Sequence, residues 1–311
     1  MPGRRVAVIA EGGRGRGHGH VARCSAVCDA FSEAGIEPVF IVDGDAGVRR
    51  AAGGRRLRLM DWLSDPEPLL RLIEGFDAAL VDSYHAPLKL YARIEERVGV
   101  AAYFDDTMRL DYPPGIVINA DADAGRLPYA CKPGRLLLLG SAYAPLRKAF
   151  WSARSRQSRK RFSDILVTLG GEDPRRLLPR VLSGLERFPE LRAHVVRGGL
   201  SQAAMKALML RCDAAVSAGG QTLTELARLG VPAAVVVAAD NQLRHAAGWR
   251  KAGFALDAGR WDSPDLEGSV ARAVRRLRDR GVRVRMAARG RAMVDGKGAR
   301  RIVSSICGCL P

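Results

Sequence analysis

Short apolar runs alternate with amphipathic stretches along most of the chain. Residues 6–9 (Val-Ala-Val-Ile) read as a buried strand, and residues 21–34 follow with helical spacing. A second strand is predicted over 37–42, after a stop at Gly35. A third is predicted over 78–82, after a helix carrying Leu69, Leu70 and Ile73, and a fourth over 98–104, after a helix over 88–97. Shorter apolar runs lie at 116–119 and 136–139, and residues 147–163 then break the pattern with charge and little apolar periodicity. The alternation restarts with strands over 164–169, 192–196, 214–218 and 233–237 and helices over 175–187, 202–211, 222–229 and 241–252. Strand and helix in this order predict an α/β fold with parallel, doubly wound sheets. The economical arrangement is two Rossmann-like domains, 1–150 and 151–311, with the last helix a candidate to pack back on the first. Ligands in such sheets bind at the carboxyl ends of the strands, so the expected site is a cleft between the two domains.

Composition narrows the function classes. The 311 residues suit two domains of about 150 each. No apolar run approaches the roughly 20 residues of a bilayer span, so no membrane insertion is expected. The opening Met1-Pro2-Gly3-Arg4-Arg5 lacks a cleavable signal pattern, which predicts a cytoplasmic protein. Six cysteines occur without a CxxC pair or metal-ligand spacing and are expected to be buried thiols. The net charge of +17 comes mostly from Arg, with clusters at 154–161 and 273–289. These clusters are not interleaved with aromatics, which speaks against nucleic acid and for an anionic small molecule. A monomer acting on that small molecule is the expectation.

The chemistry gathers at the predicted strand ends. Residues 10–28 hold five glycines and two histidines between a strand and a helix, where backbone can approach a ligand closely and helix N–H groups suit phosphate. His20 and His18 both qualify there as a base near neutral pH. Asp82-Ser83-Tyr84-His85 and Asp105-Asp106 follow two further strands, and the adjacent aspartates read more readily as a turn cap than as a metal site. In the second half, Ser217-Ala218-Gly219-Gly220-Gln221-Thr222 opens a helix and reads as a phosphate cradle or a capped turn. Glu225 lies in the first turn of that helix, where a carboxylate can accept from a ribose diol or favour the helix dipole. Gly171 can admit a second close backbone approach. There is no Walker A and no G-x-G-x-x-G after the first strand, and Asp43 is only an approximate candidate for a ribose-binding acid, so a dinucleotide is disfavoured.

Gly17-His18-Gly19-His20-Val21-Ala22-Arg23-Cys24 resembles the G-x-G-H-x-x-R-C motif of the UDP-2,4-diacetamido-2,4,6-trideoxy-β-L-altropyranose hydrolases of pseudaminic acid biosynthesis. The resemblance continues through Val81–Tyr84, Phe104–Asp106, Gly140–Arg147, Thr168–Pro174, Ser217–Glu225, Leu229–Pro232, Asn241-Gln242 and Asp295–Ala299. It implies a GT-B fold, two Rossmann-like domains facing across a cleft, related to the lipid-II glycosyltransferases of peptidoglycan synthesis. It implies no metal or cofactor, and cleavage of a UDP-sugar at C1–O with inversion. On the matching positions it implies His20 as the base that activates water, assisted by Tyr84. It places Gly19, Arg23, Gly171, Gly219, Gly220, Gln221, Thr222, Glu225, Asn241 and Gln242 around the nucleotide sugar. Gln221 replaces the usual Ser and Ser83 a frequent His, which leaves a glycosyltransferase as the alternative activity.

Overall fold

The computed structural model describes residues 3–154, 156–170, 173 and 175–310. The chain divides into one compact unit of Met1–Lys148 with Lys297–Pro311 and another of Ala149–Gly296.

The first unit runs β1 (Val6–Glu11), α1 (Gly19–Glu33), β2 (Val39–Asp43), α2 (Val48–Ala51), β3 (Arg58–Leu59), α3 (Glu67–Ile73), β4 (Phe76–Asp82), α4 (Leu88–Glu95), β5 (Val98–Phe104), β6 (Gly115–Asn119) and β7 (Arg135–Leu139). Its sheet has the order β3-β2-β1-β4-β5-β6-β7, and each strand pairs parallel to its neighbour. Apolar runs such as Val6–Ala10 are buried on both faces, as strands covered by crossover helices must be. One core packs Ile9, Ile41, Ala79 and Val81 of the sheet against Trp62, Leu70 and Tyr91. The strand order reverses between β1 and β4, with Ala10 beside Asp82. In open parallel sheets such a reversal leaves a crevice at the carboxyl ends of the two strands.

The second unit runs β8 (Asp164–Thr168), α5 (Leu178–Leu185), β9 (Arg192–Val196), α6 (Gln202–Arg211), β10 (Ala214–Ala218), α7 (Gln221–Leu229), β11 (Ala233–Val237), α8 (Leu243–Lys251), β12 (Ala255–Arg260), α9 (Leu266–Leu277) and α10 (Arg280–Met293). Its sheet, β12-β11-β10-β8-β9, is also parallel and reverses between β8 and β10. Ile165, Val167 and Val216 of this sheet pack with Val181 of α5 and Val270 and Val274 of α9. The predicted helix over 175–187 is shorter at Leu178–Leu185, and α2, β3, β12, α9 and α10 are additions to the predicted elements.

The last helix, α11 (Gly298–Gly308), belongs to the first unit and packs on α1. Arg300 pairs with Glu33 through two hydrogen bonds of 2.6 and 2.8 Å, and Arg301 donates to the Ala142 carbonyl at 2.8 Å. Gly298 starts α11 against the backbone of Ala144, where an added Cβ has no space. Gly298→Ala is therefore expected to cost about 1–3 kcal/mol of overpacking. Urea unfolding checks it, and an unchanged midpoint contradicts the contact. Among the described residues no helix is long and apolar enough to cross a membrane.

Candidate active site

Buried polar groups gather at the reversal between β1 and β4. Glu11 ends β1 and Asp82 ends β4, each 1% exposed. Between β1 and α1 the chain makes a closed turn, in which Gly13 and Gly17 exchange N–H···O bonds of 2.9 Å. Gly12 is needed there, because a Cβ would lie 2.6 Å from Val21. Arg16 donates to Asp43 at 2.7 Å and the Arg14 N–H to Asp45 at 2.7 Å, which ties the turn to the end of β2. Asp43 also accepts from the Leu63 N–H at 3.0 Å, so it serves the fold at the place where a dinucleotide acid was sought. Gly19 opens α1 with open space on its Cβ side.

The turn delivers His20 onto Asp82. His20 Nδ1 lies 2.6 Å from Asp82 Oδ1, and Arg23, one helical turn on, grips the same carboxylate with Nε and Nη2 at 2.6 Å each. Burial opposes the charge of Asp82, but Arg23 and His20 outweigh it and hold the carboxyl well below the usual carboxylate range. An ionised carboxylate only accepts, so Nδ1 carries the proton and the lone pair sits on Nε2. This is the tautomer a general base requires. His85 and His194 are also paired with carboxylates. His194 pairs with Asp164 at the start of β8, away from the carboxyl ends of the strands.

Arg23 binds protein on every side. Its Nη1 donates to Asp106 at 2.9 Å and its guanidinium lies 4.5 Å from the Phe104 ring centroid. Burial works against its charge, yet Asp106 and Asp82 raise its pKa well above normal. Asp106 shows the same balance with the opposite sign: burial raises it and Arg23 draws it below its ordinary value. Tyr84 meets His20 edge-on, with ring centroids 4.4 Å apart, and its hydroxyl donates to Asp106 at 2.6 Å. Burial and Asp106 push that phenol well above its ordinary pKa, so Tyr84 acts here as a hydrogen-bond donor and a wall beside the imidazole. Asp105 accepts from the Thr107 and Arg109 N–H groups and from the Tyr129 hydroxyl, which is the turn-capping role. Among the described residues no group of three or more His, Cys, Asp or Glu is placed to hold a metal ion. Cys24, Cys28 and Cys212 are buried free thiols, and the Cys24 thiol lies 3.5 Å from Asp82. Cys131 and Cys309 are exposed and Cys307 is half-buried, so the expectation of six buried thiols fails for these three.

In the second unit, Ser217–Thr222 joins β10 to α7 at the reversal between β8 and β10. Gly220 is the N-cap of α7, with no side-chain cap, and open space lies where its Cβ would be. Thr222 is therefore inside the helix and does not cap it, and it is partly accessible, as is Gln221. Gly219 has a different role: its Cβ would lie 3.2 Å from Gln242 and 3.3 Å from Ala246. Gln242 Oε1 accepts the N–H groups of Gly219 at 3.1 Å and Ala238 at 3.0 Å, so its oxygen fastens the ends of β10 and β11 together. Asn241 is exposed, whereas Glu225 is 1% exposed and lies past the first turn of α7, not in it as expected, because the helix starts at Gln221. Gly171 lies outside the described residues.

No family model matches the chain. The chain is 25% identical over 329 aligned positions to the spore coat polysaccharide biosynthesis protein SpsG of Bacillus subtilis, covering 96% of each. It is 22% identical over 244 positions to the pseudaminic acid cytidylyltransferase and UDP-2,4-diacetamido-2,4,6-trideoxy-beta-L-altropyranose hydrolase of Helicobacter pylori, covering 73% of this chain and 43% of that protein. Among solved structures it is similar to MurG of Acinetobacter baumannii, with a TM-score of 0.67, 14% identity and coverage of 98% and 99%. It is also similar to the spinosyn rhamnosyltransferase SpnG in complex with thymidine diphosphate, with a TM-score of 0.61, 14% identity and coverage of 96% and 100%. The fold is GT-B. Within it, the His20–Asp82–Arg23 network belongs to the N-terminal Rossmann-like unit and α7, with Gly220 at its N-cap, to the C-terminal one.

Proposed function

We propose that the protein cleaves the C1–O bond of a nucleoside-diphosphate sugar, of which UDP-sugars are the expected class, and passes the sugar with inversion to an oxygen nucleophile. The observation that carries this reading is His20, oriented through Nδ1 by a buried, ionised Asp82 so that Nε2 can take a proton. The incoming hydroxyl gives its proton to Nε2 as its oxygen attacks C1. The C1–O bond breaks on the opposite face, and its electron pair leaves with the diphosphate. Asp82 stabilises the imidazolium that forms, and Arg23 and Tyr84 are positioning residues of that base. In the second unit, Gly220 and Thr222 at the start of α7 suit the diphosphate. Glu225 is proposed for the ribose, and Asn241 for the sugar or diphosphate.

A saccharide hydroxyl is the first reading for the nucleophile. It is supported by the full-length similarity to a protein named for polysaccharide biosynthesis and by a fold shared with glycosyltransferases. Water is the second, supported by the Helicobacter pylori relative named in part as a hydrolase. A panel of UDP-sugars with and without saccharide acceptors separates them by the UDP released. Transfer predicts release that rises with an acceptor, hydrolysis predicts release independent of it, and no release from any donor contradicts the enzyme reading.

Glu225→Gln tests the ribose contact. Loss of a charged hydrogen bond of about 1.5–3 kcal/mol is expected to raise the UDP Kd roughly 10- to 100-fold. An unchanged Kd by calorimetry makes Glu225 a structural carboxylate of α7.

A further inference from the structure

At the carboxyl ends of β1 and β4, two histidine–carboxylate pairs are exchanged between the strands. His20, which follows β1, is held by Asp82 at the end of β4, and His85, which follows β4, is held by Glu11 at the end of β1. Glu11 accepts from Ser83 Oγ at 2.8 Å, from the Tyr84 N–H at 2.7 Å and from His85 Nδ1 at 2.8 Å. The His85 N–H in turn donates to Ser83 Oγ at 3.0 Å. The His85 side chain is 59% exposed, against 8% for His20. An imidazole that accessible normally holds neither one position nor one tautomer. This one is fixed by a buried carboxylate through Nδ1, which leaves the lone pair on Nε2. One residue joins the two pairs: Tyr84 sets its ring against His20 and its N–H on Glu11.

We propose that His85, positioned by Glu11, is the second proton-handling residue of this site and moves to bulk solvent the proton that the reaction releases. The proposal rests on the reading of His20 as the base. Each sugar passed on frees one proton from the attacking hydroxyl, and that proton resides first on His20 Nε2. A protonated imidazole cannot act as a base again, and His20 is nearly closed to solvent. The accessible Nε2 of His85 takes up the proton through an intervening water or substrate hydroxyl and delivers it to buffer. No bond other than N–H and O–H changes in this step.

The test is turnover at low buffer concentration, using the donor found by UDP release. His85→Ala is expected to lower kcat about tenfold, less than the full effect of a base in contact with substrate, with the donor KM unchanged. Added imidazole should restore that kcat and leave the wild type unmoved, because a free base replaces the missing one. Wild-type kcat in His85→Ala, or a loss that imidazole does not relieve, overturns the proposal. Full activity in His20→Ala instead overturns the reading beneath it. A substrate-free measurement stands beside this: ¹⁵N-resolved imidazole spectra should show His85 protonated at Nδ1 in the wild type and not in Glu11→Gln. A wild-type ring protonated only at Nε2 contradicts the pairing.

Discussion

His20→Ala is expected to lower kcat between about a hundredfold and ten-thousandfold, the range that a positioned general base contributes. The donor Kd should stay near the wild-type value, since the proposed nucleotide contacts are in the second unit. The variant should fold. His20 is 7% exposed, and its removal leaves Asp82 with two Arg23 hydrogen bonds of 2.6 Å, so the buried charge stays compensated. Steady-state UDP release and UDP calorimetry together check this. Equal losses in turnover and in UDP binding make His20 a ligand contact, and an unchanged kcat removes it from the chemistry.

Asp82→Asn is expected to act on both stability and turnover. The amide keeps the shape but not the charge, leaving a buried Arg23 facing a neutral group that also presents N–H donors to it. Breaking a buried pair in this way costs about 3–5 kcal/mol. Turnover should fall with it, because nothing then fixes the proton on Nδ1 of His20. The pH dependence has a definite sign. Burial raises the Asp82 carboxyl, Arg23 and His20 bring it lower still, and the folded-state pKa lies well below the unfolded one. Its stabilisation is therefore complete above an unfolded pKa of about 4 and is lost progressively as pH falls below that. Urea midpoints between neutral and acid pH should fall steeply for the wild type and less steeply for Asp82→Asn. Parallel curves with equal midpoints contradict the network.

Much of the fold is legible because buried parallel strands are apolar runs, and residues 98–104, 192–196, 202–211, 214–218 and 233–237 form the predicted elements with their predicted bounds. β12 and α10 read poorly for physical reasons. β12 is the edge strand beside β11, and of its sequence Ala-Leu-Asp-Ala-Gly-Arg only Ala255 and Ala258 are buried, so it shows no apolar run. α10 buries Arg283, Met286, Ala287 and Gly290, which is no apolar stripe. Arg283 is inside because its guanidinium donates to the carbonyls of Leu277, Arg278 and Arg159. α9 did carry a signal, since Leu266, Val270, Val274 and Leu277 keep helical spacing. At the site, the strand-end position of Asp82 is visible in the sequence but its partners are not: His20 is 62 positions away. The same distance problem hides Glu11, whose partners Ser83 and His85 are 72 and 74 positions away. His20 and His18 are chemically equal in a string of letters, and the structure distinguishes His20 by the Asp82 carboxylate that it meets.

In the proposed reaction one oriented base, His20, delivers an oxygen nucleophile to C1 in a single displacement. The most direct measurement is the anomeric configuration of the first-formed product, followed by proton NMR during turnover of a UDP-sugar of known configuration. The expected product is inverted at C1, forms in the wild type and is lost in His20→Ala. A product that retains the donor configuration contradicts it.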